Sequence, residues 1–373
     1  MKVVVVGAGV AGVALARGLV AVGHEVEVYE QASGPRTAGG SVTLWSAGTG
    51  ILRDLGVEVT GLGRRIDRLE QWSSDGRILF TADVSRAARR FGSPTVHVRR
   101  QHLVQALAAG LPPGVIRYGR RCTGVRGTTA VFADGGTARG DVLVGADGRW
   151  SPVRDHLQGG DPARPTGWVT WQGVTELPID VTGSHRGVLI NGREGLCGLM
   201  PPGDGLLLWW FDFRAGETPA ADWPGLLAER FGGWASPVPE VLAAVAGSAD
   251  AGFFAHYRQR VPRVWGRGGA TLAGDSAHAM PPSMAQGVNQ ALEDAWALTA
   301  ALTGPSAHPV AARLRAYERH RSRKAGLVAW VSGTSTTDRY RPPSLMRLVP
   351  DGLATRLNTA WLGRASTYLD HLP

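Results

Sequence analysis

The 373-residue sequence predicts an α/β fold: a Rossmann-like domain, interrupted by an inserted β-rich domain and followed by C-terminal helices. Three observations carry this reading. First, an apolar run, Val3 to Val6, passes through Gly7-x-Gly9-x-x-Gly12 into a helical pattern (Val13, Leu15, Ala16, Leu19, Val20) and then a second strand, "EVEVY", which is a βαβ opening. Second, aromatic residues and Gly/Pro turns crowd the stretch from Thr166 to Tyr257, with Trp168, Trp171, Trp209, Trp210, Phe211 and Phe213. Third, strand–helix alternation returns at Ala270. The expected division is 1–65, 96–165 and 265–373 for the discontinuous first domain, and 66–95 and 166–264 for the inserted one.

Each element has its local reason. Gly23 is placed to stop the first helix, since a left-handed residue there closes the last turn. Ile66 to Asp83 alternates like two strands around the Ser74-Asp75-Gly76 turn. Arg100 to Leu111 reads as a helix with Leu103, Val104, Leu107 and Leu111 on one face, ended by Pro112-Pro113. A buried strand ends at Gly145, and Ser151 followed by Pro152 reads as a helix cap. The run from Ala270 to Ala273 is a strand leading into "GDSAHAMPPSMAQGVNQALEDAWAL".

Composition narrows the chemistry. The hydrophobic share, 43%, suffices for a large core. Cys122 and Cys197 are far apart, which gives no disulfide framework and fits a reducing, cytoplasmic setting. The uncharged stretch from Val3 to Ala16 is too short to span a bilayer. The net charge of +9 is almost all arginine; Lys2 and Lys324 are the only lysines. Spread over the surface it implies no nucleic-acid partner, and "RHRSRK" (Arg319 to Lys324), lying in a helical pattern with Val310, Leu314 and Tyr317, reads as a solvated face. There is no GxxxxGK[ST] phosphate loop, no HExxH and no CxxC, so no metal site is expected.

Three turns carry the candidate chemistry. In the first, Gly7 permits the tight turn, Gly9 lets a pyrophosphate approach the backbone, and Gly12 allows close helix–strand packing. Glu30, 18 residues beyond Gly12, is placed to accept ribose hydroxyls and to repel a 2′-phosphate. In the second, Asp147 and Gly148 stand at a strand end; Asp147 either orients groups around a second anionic ligand, with Arg154 as its possible ion-pair partner, or belongs to a plain capped turn. In the third, Asp275 at a strand end can accept bonds from a polyol, and Pro281 and Pro282 form a stiff apolar wall. Gly287, Val288 and Asn289 open a helix whose free N–H groups can stabilise negative charge on a flat ring. Glu293 and Asp294 sit near that positive helix end, and His278 reads as a structural hydrogen-bonder.

With these motifs in order, the chain resembles the single-component, FAD-dependent aromatic hydroxylases of the p-hydroxybenzoate hydroxylase fold, most closely the branch with urate and salicylate hydroxylases. The resemblance covers nearly the whole chain. It implies that the Rossmann-like unit binds FAD, and that Glu30 holds the adenosine ribose. It places Arg100 on the FAD backbone, Asp275 on the ribityl chain and Gly287 to Asn289 on the flavin pyrimidine edge, with Arg36, Asp147 and Pro282 as further cofactor contacts. Gly39 to Gly56 resembles the family's flavin-contacting segment, with Ser46-Ala47 where Pro-Asn is usual. "WVTWQG" lacks the Ile-Pro of the halogenase signature, and no mid-chain lysine exists, so halogenation is not expected.

The implied reaction has NADH or NADPH reduce the flavin at a transient site. Dioxygen then adds at the flavin C4a carbon, and one oxygen passes to an aromatic or electron-rich small molecule by hydroxylation or epoxidation. Leu199, Met200, Trp209 and Phe211 are candidate substrate contacts, because positions 207, 209 and 211 share one strand face, although large apolar residues more often serve core packing. Arg193, Arg214, His256 and Tyr257 are possible polar anchors, and no residue identifies itself as a substrate base. A reductase or oxidase of the same fold, and a non-catalytic flavin-binding protein, stay open as alternatives. The protein is expected as a monomer or homodimer.

Overall fold

The computed structural model describes residues 1–35, 40–176, 183, 185–203, 205–216, 218–246, 251–304, 307–334 and 348–372. Arg36, an expected cofactor contact, lies outside them.

The chain begins β1 (Lys2–Val6), α1 (Val10–Ala21), β2 (Glu25–Tyr29), β3 (Ser41–Leu44) and α2 (Ser46–Asp54). Next come β4 (Arg64–Arg65), the hairpin β5 (Arg68–Ser73) and β6 (Ile78–Asp83), α3 (Ser85–Phe91), β7 (Val96–Arg99) and α4 (Arg100–Ala108). β8 (Ile116–Arg117) precedes a meander, β9 (Cys122–Arg126), β10 (Thr129–Phe132) and β11 (Thr137–Arg139), which leads to β12 (Val142–Gly145) and α5 (Pro152–Gln158). The inserted region supplies β13 (Arg164–Glu176), β14 (Arg186–Asn191), β15 (Leu196–Gly203), β16 (Leu206–Arg214), α6 (Trp223–Phe231), α7 (Val238–Val245) and β17 (Gly252–Arg258). The chain then returns through β18 (Ala270–Leu272), α8 (Asp275–His278), α9 (Gly287–Leu302), α10 (Val310–Thr334) and α11 (Asp351–Ala365).

Two sheets organise the molecule. One is parallel, in the order β18-β12-β1-β2-β8. Val3, Val4 and Val5 have no exposed surface, as expected of a parallel strand covered on both faces; each contributes about 1.5–3 kcal/mol by burial. The other has seven strands in the order β17-β13-β16-β15-β14-β5-β6, so the early hairpin around Gly76 joins the inserted strands, with β5 and β14 parallel. α4 ends at Ala108, before the prolines at 112 and 113.

Both faces of the seven-stranded sheet are buried, against different partners. The odd positions of β13 and β16, with Trp171, Trp209, Phe211 and Phe213, pack on Leu227 and Phe231 of α6 and on Val238, Val241 and Val245 of α7. Trp209 and Phe211 have no exposed surface, and neither does Leu199 on β15. The even positions look the other way: Val174, Leu208 and Trp210 cluster with Met200, Trp45 and Ala285. This corrects the expected substrate face. Leu199, Trp209 and Phe211 belong to the sheet–helix core, and of the four candidates only Met200 lies on the side of the parallel-sheet domain. No helix of the described residues is long and apolar enough to cross a membrane.

Candidate cofactor and active site

β1, β12 and β18 are neighbours and parallel, so the three turns that leave them meet at the carboxyl edge of one sheet, where open α/β sheets bind ligands. In the first turn Gly7 has φ +104°, and a Cβ there would stand 2.3 Å from the Ala146 carbonyl oxygen. A Cβ on Gly12 would stand 1.9 Å from the Gly7 carbonyl oxygen, whereas one on Gly9 would meet nothing within 4 Å. Gly7 and Gly12 thus serve the fold, and Gly9 keeps open the space in front of α1. That helix has no side-chain cap and no acid in its first turn, so its leading N–H groups are available to an anion. Glu30 is tied to the same turn: Oε2 accepts from Ala8 N–H at 2.8 Å and Oε1 from Ala32 N–H at 2.9 Å.

The second and third turns are bolted together. Asp147 accepts from Ser151 Oγ (2.5 Å), Ser276 Oγ (2.9 Å) and Val153 N–H (3.2 Å), while Gly148 N–H donates to Ser276 Oγ at 2.9 Å. Burial pushes the Asp147 carboxyl up, against the lowering by these bonds. Ser151 caps α5 as expected, accepting from Arg154 N–H. The Arg154–Asp147 pair is corrected: the Arg154 guanidinium is buried against Asp161, at 3.2 Å, while Asp147 accepts instead from two hydroxyls and an amide. Gly274 has φ +64°, and its N–H donates to Asp294 Oδ2 at 2.8 Å. The next residue, Asp275, is exposed, and its Oδ1 lies 4.0 Å from where a Gly287 Cβ would stand. The acid therefore faces the start of α9.

The first turn of α9 carries no acid and no side-chain cap. Asn289 is wholly engaged by the protein: Oδ1 accepts from Trp45 N–H, and Nδ2 donates to the Thr43 and Ala285 carbonyls, each at 2.9 Å. The Trp45 indole N–H also donates to Ala285 O, at 3.1 Å. These bonds hold Ala285 in the left-handed region at φ +49°, which costs about 1–2 kcal/mol for a non-glycine residue. The backbone of 287–289, rather than the Asn289 side chain, is what this turn offers a ligand. Ser46 and Ala47 are buried in the first turn of α2. Pro282 and Arg100 are exposed beside the site's loops, and Val288 is half-buried.

Beneath the site lies a buried ion network. Arg321 reaches Glu293 Oε2 (2.6 Å) and Asp294 Oδ1 (2.8 Å), and His278 Nε2 stands 2.6 Å from Asp294 Oδ2. All four are fully buried. His278 is structural, as expected, but Arg321 corrects the reading of "RHRSRK" as a solvated face. Periodicity carried the signal: Leu314, Tyr317 and Arg321 fall on one helical stripe, and all three are buried.

The family model described as FAD binding domain matches residues 1–330. The chain belongs to this family. Among its relatives, the 3-amino-4-hydroxybenzoate 2-monooxygenase of Streptomyces platensis is 33% identical over 340 residues, 85% of this chain and 83% of that protein. The FAD-dependent urate hydroxylase of Klebsiella pneumoniae is 29% identical over 334 residues, 86% of each. Among solved structures, Klebsiella pneumoniae HpxO complexed with FAD and uric acid has a TM-score of 0.86 at 25% identity, covering 99% of this chain and 97% of that one. A salicylate hydroxylase substrate complex shares the fold, with TM-score 0.79 at 21% identity over 99% of this chain and 98% of that one. FAD is the cofactor of this family member, and the open Gly9 position, the uncapped α1 and α9 and the exposed Asp275 fit it.

Proposed function

We propose that this protein is an FAD-dependent monooxygenase that uses NADH or NADPH and dioxygen to place one oxygen on a flat aromatic or electron-rich small molecule. One observation supports this above others: three turns converge on one sheet edge, and the uncapped start of α9 lies between that edge and the even face of the seven-stranded sheet. The proposed division has residues 1–65, 96–165 and 265–373 carry the cofactor, and 66–95 and 166–264 cover the substrate.

Bound FAD supplies the redox chemistry with the nicotinamide and dioxygen. The protein's own groups bind and shield it. Gly9 and the α1 amides would receive the pyrophosphate in the turn that Gly7 and Gly12 shape, Glu30 would hold the adenosine ribose, Arg100 the FAD backbone, and Asp147 and Asp275 the middle of the cofactor. The backbone N–H groups of Gly287, Val288 and Asn289 would face the ring, where the positive end of α9 could stabilise negative charge. Met200, Leu208, Val174 and Trp210 wall the opposite side with apolar surface, which excludes water from the reacting atoms.

The test is direct. The purified protein is expected to be yellow, and to oxidise NADH or NADPH faster in the presence of one of four probes: uric acid, salicylate, 6-hydroxynicotinate or 3-amino-4-hydroxybenzoate. Isotopically labelled dioxygen should leave one labelled atom in the product. A reduced, unlabelled product would instead identify a reductase, and a colourless protein that takes up no FAD would end the proposal.

A further inference from the structure

A row of side chains on the even face crosses the middle of the seven-stranded sheet. Gln172 of β13, Trp210 of β16, Gly198 of β15, Leu189 of β14 and Gln71 of β5 are partnered in turn across neighbouring strands. Partnered residues point to the same side of a sheet. Gln172, Trp210, Leu189 and Gln71 are half-buried, although every one of these strands lies inside the sheet. On the opposite face their neighbours Trp171, Trp209, Leu199 and Ile190 are buried. Solvent therefore reaches the row, which is the floor of a cleft. The first domain meets one end of it, since a Cβ on Gly40 would stand 1.8 Å from Gln172 Nε2. Neighbouring strands are about 4.8 Å apart, so the three spacings from Gln172 to Leu189 measure about 14 Å.

Gly198 makes this floor flat. A Cβ there would stand 1.9 Å from Trp210 Cζ2, 2.1 Å from Cε2 and 2.3 Å from Cη2. The six-membered ring of the indole thus lies on the Gly198 backbone, across β15; a glycine inside a strand marks such a close approach. The same device recurs beside it, where a Cβ on Gly187 would stand 2.4 Å from Met200 Sδ. The indole is also held by a side-chain hydrogen bond from Trp210 to Asp212, whose Oδ1 accepts from the Thr170 hydroxyl. Thr170, Asp212 and His256 are buried, so this end of the floor is closed. With one face on the sheet, the half-buried Trp210 turns its other face to the cleft. Trp45 and Ala285, from the start of α2 and the loop before α9, belong to the same apolar cluster.

We propose that Trp210, laid flat on Gly198, is the stacking floor of a slot one ring thick, and that this slot selects flat, fused-ring aromatic substrates over single or puckered rings. This rests on the monooxygenase reading, in which the start of α9 carries the slot's other flat wall. Two parallel flat surfaces admit a planar ring system face-on and exclude a puckered one of the same size. A floor about 14 Å long exceeds a single six-membered ring and matches two or three fused ones. Stacking on an indole rewards that planar overlap beyond the area buried. Trp210 is thus the specificity-determining residue, and Gly198 a positioning residue that acts through it: any side chain at 198 lifts the indole into the slot.

The experiment uses the FAD-loaded protein and a matched pair of probes: 2-naphthol, and its tetrahydro derivative in which the ring without the hydroxyl is saturated. The two share size and hydroxyl position, and only the first is planar. Calorimetric titration reads binding, so no turnover is needed. The wild type should bind 2-naphthol at least about fivefold tighter, the order of advantage of a stacked ring pair. In Gly198→Ala and in Trp210→Leu that preference should vanish. A smaller preference in the wild type, or an undiminished one in Trp210→Leu, would overturn the slot. Trp210→Leu adds no clash and decides alone if Gly198→Ala does not fold. A preference for 2-naphthol in the wild type that Trp210→Leu loses, with no oxygen incorporated into any probe, would uphold the slot and end the monooxygenase reading instead.

Discussion

At the scale of single residues, the three fingerprint glycines separate fold from function. Gly9→Ala adds a methyl that meets no protein atom, so unfolding in urea should change by no more than about 0.5 kcal/mol, while FAD affinity, read by flavin fluorescence titration, should drop at least tenfold. Gly12→Ala drives its methyl into the Gly7 carbonyl and should cost at least about 2 kcal/mol even without cofactor. If both variants behaved alike, the open space before α1 would not be the pyrophosphate seat. Asn289 shows a role that sequence reading missed. Its amide joins α9 to the β3–α2 turn through two bonds and holds the Ala285 carbonyl through a third, and Asn289→Ala should destabilise by roughly 3 kcal/mol, at about 1 kcal/mol per bond. Its place at a helix start was legible in the sequence; its partners Thr43 and Trp45, some 240 positions away, were not, because no local pattern encodes a tertiary clamp.

At the scale of elements, α9 and α10 are joined by charge as well as by packing. Arg321 of α10 meets Glu293 and Asp294 of α9, and Asp294 in turn fixes Gly274 and His278. Arg321→Met leaves two buried carboxylates without their cation. It should lower stability by about 3–5 kcal/mol in chemical denaturation, with FAD affinity falling because the Gly274–Asp275 turn loses its anchor. Undiminished affinity in a destabilised variant would show that the turn is held by β18 and α8 alone. The strands teach a complementary lesson. Alternation correctly grouped 207, 209 and 211 on one face of β16, but both faces of this sheet are buried. Alternating apolar residues reveal which positions share a face, not which neighbour covers it, so only the fold distinguishes the α6–α7 side from the cofactor side.

At the scale of the whole molecule, two buried acids pull the pH dependence of stability in opposite directions. Burial raises the Asp294 carboxyl, but His278 and Arg321 outweigh it, and its folded pKa ends below the ordinary value. Its stabilisation is complete above the unfolded carboxylate range near pH ~4 and is lost as pH falls through the folded value. Asp212 behaves inversely. Its folded pKa of about 7 exceeds the unfolded one, so the folded state binds the extra proton between those values and stability declines as pH rises from ~4 to ~7. The wild type should therefore be most stable in mildly acidic buffer, falling on both sides. Asp212→Asn keeps an acceptor for Thr170 and removes the titration. Relative to wild type it should gain on the order of 3 kcal/mol between pH ~4 and pH ~8. Urea unfolding of both proteins across that range measures it directly. Parallel curves would mean that Asp212 is ionised across that whole range in the folded protein, and that its burial between β13 and β17 does not hold a proton on it.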